Sequence, residues 1–157
     1  MTERPDQAGV VADADVLAAD LLVGGDARRA LDLVREHSWL QLYASAQLLD
    51  DAEFLIEQCA DAELAAAWRE RIESLVEPVD QPAGDHPALA TAYHSHAAHV
   101  LSFDEELRSA RTGVALKRRI DVSVMHPGGF ATLFDPSSFY EDVVGGEYPG
   151  PDRDPRA

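Results

Sequence analysis

A chain of 157 residues with 46% hydrophobic content suits one domain with a buried core and is short for two. Its 29 acidic against 13 basic residues leave a net charge of −16, which argues against a basic nucleic-acid-binding surface of the usual kind. No apolar run approaches a membrane span, and Met1 to Gly9 lacks the basic-then-apolar shape of a signal peptide, so a cytoplasmic protein without membrane contact is expected.

The chain divides into a disordered tail at 1–8, one domain at 9–144 and a Gly-, Pro- and charge-rich disordered tail at 145–157. Gly9 to Ala12 is an apolar run that reads as a first strand ending at Asp13. Asp15 to Leu22 reads as a short helix stopped by Gly24-Gly25. Asp26 is the expected cap of a helix through Arg35, with Ala30, Leu31, Leu33 and Val34 on its apolar face. Leu40, Leu42 and Tyr43 form a second strand.

Ser45 is the expected N-cap of a helix whose stripe is Leu48, Leu49, Ala52, Leu55 and Ile56. The lone cysteine, Cys59, has no partner for a disulfide and reads as a small buried hydrophobe in this pattern. Asp61 opens another helix, with Leu64, Trp68, Ile72 and Leu75 on one side. Pro78 and Pro82 mark a loop. Pro87 begins a helix over Ala88 to Ala97. Val100 to Ser102 is a third strand, Ile120 to Val124 a fourth, and a short helix follows around Phe130 to Phe134. Alternating strands and helices predict an α/β fold, a three-layer α/β/α sandwich with a central parallel sheet.

In such folds, sites lie at the carboxyl ends of strands. Asp13 ends the first strand and Asp104 follows the third. Asp85 precedes the helix that feeds that strand, and Asp51 lies at the edge of the Ser45 helix's apolar stripe. Converging carboxylates repel one another. A hard divalent cation with oxygen ligands relieves that repulsion and suits phosphodiester chemistry.

Four ordered stretches resemble the PIN-domain family, from Gly9 to about Phe134. Val11-Ala12-Asp13-Ala14-Asp15-Val16-Leu17 resembles its opening strand and acid. Ser45 to Leu55 resembles its Ser-initiated helix, with Asp51 where Glu is usual and Glu53 as the alternative. Asp85 through the Ala-rich helix to Val100-Leu101-Ser102-Phe103-Asp104 resembles its third motif. Val122 to Phe130 resembles its last strand and helix, with Gly128-Gly129 where acids are usual.

The resemblance implies Mg2+- or Mn2+-dependent cleavage of single-stranded RNA by metal-activated water. Asp13, Asp51, Asp85 and Asp104 would be the catalytic acids, and Asp13, Asp85 and Asp104 the metal ligands. Ser102, Glu53 and Asp15 would support them. The basic stretch Arg108, Arg111, Lys117, Arg118 and Arg119 is the expected grip on RNA phosphates, or else a solvated loop. The acidity resembles that of proteins from salt-accumulating organisms. At about 1 M salt the Debye length is ~3 Å, so repulsion of RNA is screened. An acidic protein with a basic partner is the alternative.

Other readings compete. The family implies catalytically inactive binding modules, homodimers and toxins held by an antitoxin partner. Asp13-Ala14-Asp15-Val16 also resembles haloacid-dehalogenase-type phosphatases, with Asp13 as nucleophile and Asp15 as acid, but the sole lysine, Lys117, is misplaced for that family and for a receiver domain. His86, His94, His96 and His99, with His126 further on, read as ordinary polar helix and loop residues, because His94 and His96 do not share a helix face.

Overall fold

An apolar run becomes a central parallel strand when both of its faces find cover. The run Gly9 to Ala12 does so in the computed structural model, which describes residues 6–80, 86–108 and 122–155. Strand β1 spans Asp6–Ala12 and is buried from Ala8 onward. It pairs in parallel with β2 (Gln41–Ala44) on one side and β4 (Ala97–Leu101) on the other. Beyond these lie β3 (Glu77–Pro78) and β5 (Ser123–Met125), giving a five-stranded, all-parallel sheet in the order β3-β2-β1-β4-β5. Helices flank the sheet, and the architecture is α/β.

The strand starts at Asp6 rather than Gly9, so part of the expected N-terminal tail belongs to the sheet. Gly9 is needed there: a Cβ would stand 3.0 Å from the Ala97 Cα and 3.2 Å from the Tyr43 ring. β3 was read as loop because it holds Pro78. It is an edge strand, where a missing N–H is tolerated.

Helix α1 (Ala14–Leu22) leaves β1 at once, and Gly24 and Gly25, both at positive φ, turn the chain into α2 (Gly25–Arg35). Gly24 is the N-cap of α2. Asp26 therefore sits inside the first turn and pairs with Arg29 at 2.8 Å instead of capping. Helix α3 (Ala46–Cys59) is capped by Ser45, whose Oγ accepts from the Leu48 amide at 3.2 Å. Leu48, Leu49, Ala52 and Ile56 are its buried stripe, whereas Cys59, at the last turn, is exposed rather than buried.

Asp61 caps α4 (Ala62–Glu73), which buries Ala65, Trp68 and Ile72 and leaves Leu64 exposed, and Leu75, past the helix end, is exposed too. Pro87 starts α5 (Pro87–Ser95), which ends two residues earlier than expected because His96 turns left-handed at φ 61°. Ala97 then enters β4. Helix α6 covers Glu105–Arg108.

Helix α7 (Pro127–Leu133) begins before its glycines because Pro127 presets φ and His126 caps it. The sequence reading missed α8 (Pro136–Val143), although Asp135-Pro136 is a cap followed by Pro at the first helical position. Phe139 of α8 stacks on Phe134 at 4.6 Å, and with Phe130 they surround the buried His99.

The expected C-terminal disorder does not describe residues 145–155. The Tyr148 hydroxyl bonds His37 Nε2, Asp152 accepts from the Ser38 amide at 2.7 Å, and Arg153 donates to the His37 carbonyl at 2.9 Å. His37 is 1% exposed, and its Nδ1–H donates to the Leu33 carbonyl. Tyr148, Asp152 and Arg153 thus dock this segment on the loop after α2. Among the described residues no helix is long and apolar enough to cross a membrane.

Candidate functional site

The strand order places a crevice. From β1 the chain steps outward through β2 to β3, then returns across the sheet to β4 and outward to β5. Connections leaving β1 and β4 diverge, and such a switch point opens a cleft at the carboxyl ends of those two strands. The residues that immediately follow the strands line this edge: Asp13 after β1, Ser45 after β2, Ser102 after β4 and His126 after β5.

Asp13 is locked there by both backbone and side chain. Its amide donates to the Leu101 carbonyl at 2.8 Å, which continues the β1–β4 ladder past the strand end. Its Oδ1 accepts from the Ala14 amide at 2.8 Å and so caps α1. Its Oδ2 accepts from the Ser102 hydroxyl at 2.8 Å. Ser102 Oγ in turn accepts from the Asp104 amide at 3.0 Å. One buried hydroxyl thus ties Asp13 to the turn that carries Asp104. Asp104 is exposed, and its Oδ1 accepts from the Glu106 amide at 3.0 Å at the start of α6.

Asp15 lies among these acids and is more central than a supporting role implied. Burial, then the Asp13 charge, then Asp104 push its carboxyl up to about 6, against opposing hydrogen bonds from the Val16 and Phe103 backbone. Its Oδ1 is buried with no hydrogen-bond partner. An orphaned carboxylate oxygen beside two further carboxylates is the donor chemistry of a hard divalent cation. The residues present therefore fit Mg2+ or Mn2+ by donor type. Among the described residues no three His, Cys, Asp or Glu side chains are already arranged as a metal-holding group.

The remaining sequence candidates separate. Asp85 lies outside the described residues, as do Arg111, Lys117, Arg118 and Arg119. Asp51, on α3, accepts from Gln47 Nε2 at 3.0 Å one turn back. Glu53, the alternative to Asp51, bridges to Arg69 of α4 at 3.0 Å, because its edge of α3 faces α4. Arg108 reaches the Phe103 carbonyl at 3.5 Å from α6, with its Nε buried and unpartnered. It is the one basic residue of its stretch among the described residues.

Sequence reasoning read His86 as an ordinary polar residue. Its Nε2 stands 3.8 Å from Asp13 Oδ2, and its Nδ1 accepts from the Ala88 amide at 3.2 Å, which caps α5. The legible signal was its place between Asp85 and Pro87, where a helix cap belongs. His99, by contrast, is a core residue. Its Nε2–H donates to the Gln7 carbonyl at 3.2 Å, and burial lowers its pKa.

A cavity of about 200 Å3 lies elsewhere, lined in part by Asp20, Arg28, Arg35 and Trp68. Arg35 is closed on Asp20 and Asp32 and Arg28 on the last carbonyls of α1, so these cations serve the fold rather than the crevice.

The chain belongs to a family of unknown function, DUF7384, whose model matches residues 4–156. No curated protein and no solved structure matches it.

Proposed function

We propose that this member of DUF7384 is a PIN-like endoribonuclease, dependent on Mg2+ or Mn2+, that cleaves single-stranded RNA at the Asp13–Asp104 crevice. The observation that carries the reading is the Asp13–Ser102–Asp104 link at the switch point of an all-parallel sheet, with the unpartnered Asp15 oxygen beside it. Asp13 and Asp104 would hold the ion, with Asp85 from the segment before α5, and Asp15 or Asp51 would complete the acidic set. A bound divalent cation supplies Lewis acidity and charge neutralisation toward a phosphodiester.

The chain's own part is orientation. Ser102 links one Asp13 oxygen to the Asp104 amide through a single hydroxyl. Arg108 reaches the Phe103 carbonyl, between Ser102 and Asp104, and its guanidinium would offer further N–H groups to a phosphate. The phosphatase reading gains from Asp15, since a carboxyl near 6 suits a general acid. It loses more from Asp13: both oxygens already accept hydrogen bonds, which lowers their nucleophilicity and suits a ligand instead.

The test is cleavage of labelled single-stranded RNA in high salt, with Mn2+ or with EDTA, by the wild type and Asp13→Asn. Cleavage that requires both the metal and Asp13 is expected. Metal-dependent cleavage retained by Asp13→Asn would refute the assignment of Asp13. No cleavage by folded wild type would refute the nuclease reading and leave a non-catalytic binding protein or an antitoxin-controlled one.

A further inference from the structure

His86 contributes a group that the acids cannot. A backbone N–H can only donate, so the Ala88 amide at 3.2 Å identifies His86 Nδ1 as an acceptor with its lone pair engaged. In the neutral ring the proton therefore sits on Nε2. That Nε2 is 3.8 Å from Asp13 Oδ2, too far for a hydrogen bond, and the side chain is 34% exposed. The same tautomer leaves Nε2 without a lone pair for a metal while the cap is formed. The ring is thus an oriented donor, held by the start of α5, with its free N–H at the crevice beside Asp13.

We infer that His86 is a substrate-positioning residue whose Nε2–H binds a non-bridging phosphate oxygen of single-stranded RNA next to Asp13. The inference rests on the ribonuclease reading. An edge carrying Asp13, Asp15 and Asp104 repels a phosphodiester, and a donor fixed to the backbone counters that with little ordering cost on binding. His86 acts on where the phosphate sits and leaves the metal ligands unchanged.

His86→Asn separates the cap from the donor. The Asn side-chain oxygen accepts the same helix amide, while the ring N–H is gone. His86→Ser gives the same comparison with a second capping side chain, so a folding defect peculiar to one variant does not decide the result. RNA affinity is read by fluorescence anisotropy of a labelled single-stranded oligonucleotide with Ca2+ in place of Mn2+, and KM and kcat are read with Mn2+. Both variants are expected to unfold close to the wild-type temperature, to bind RNA about three- to tenfold more weakly, and to raise KM by a similar factor. Their kcat should stay within about twofold of wild type, since only uniform binding is lost. Wild-type affinity and KM in folded variants would overturn the inference while leaving the nuclease intact, and so would a fall in kcat at unchanged KM. A wild type that neither binds nor cleaves RNA would overturn both readings.

Discussion

Asp15→Asn should stabilise the protein, with a pH dependence that identifies the cause. The carboxyl moves from 3.8 to about 6 in the folded state, chiefly through burial. In full, that corresponds to about 3 kcal/mol against the ionised form at neutral pH. Asp15 is only partly buried, and solvent screening brings the expected gain to about 1–2 kcal/mol. The folded state holds its proton to higher pH than the unfolded chain, so the contribution of Asp15 to stability falls as pH rises from about 4 to about 6 and is flat above. The Asn variant lacks that slope. Its gain should be absent near pH 4 and complete at pH 7.5.

For a domain of this size the gain amounts to about 2–8 °C in Tm, measured by thermal unfolding in EDTA so that no cation offsets the charge. Because burial is the first cause and repulsion by Asp13 the second, most of the gain should survive in about 1 M salt, where the Debye length is ~3 Å. An equal gain at pH 4 and pH 7.5 would refute the argument. A loss of stability at pH 7.5 would do so too, and a gain abolished by salt would show that repulsion, not burial, dominates.

Ser102→Ala removes a buried hydroxyl that donates to Asp13 and accepts from the Asp104 amide. A loss of about 1–3 kcal/mol is expected in denaturant unfolding, and an unchanged midpoint would show that the hydroxyl does not link the two acids. His99→Phe tests the opposite pH sign to Asp15. Burial holds the His99 pKa below its ordinary 6.5, so its contribution is present above about 6.5 and lost as pH falls from there toward the lowered folded value. The Phe variant, packed in the same ring of Phe130, Phe134 and Phe139, should lose less stability between pH 7 and pH 5 than wild type. Equal losses would place the acid sensitivity elsewhere.

Much of the fold was legible because its signals are local. The apolar run at Val10 to Ala12, the Ser45 and Asp61 caps, and Pro87 at a helix start are each decided within a few residues. The same holds for Asp13, since a strand followed at once by a helix puts its last residue at the sheet edge. β3 was missed because a two-residue strand that includes Pro78 carries no alternating pattern, and only an edge position in the sheet makes it a strand. Cys59 and Leu64 were placed by helical periodicity, but periodicity does not say where a neighbouring helix stops covering a face.

The sequence by itself determined the alternation of strands and helices, and hence a parallel sheet with acids at its carboxyl edge, because backbone propensity, capping and hydrophobic period are properties of short segments. The tertiary structure alone decided which acids share a crevice. Pairing of β1 with β4 joins Asp13 to Ser102 across 89 positions of sequence. The facing of α3 against α4 commits Glu53 to Arg69. The His86 cap holds its ring Nε2 3.8 Å from Asp13 Oδ2. The docking of Tyr148 and Asp152 on His37 and Ser38 likewise spans more than a hundred positions. Such contacts depend on strand order and packing between distant segments, and no window of local sequence contains them.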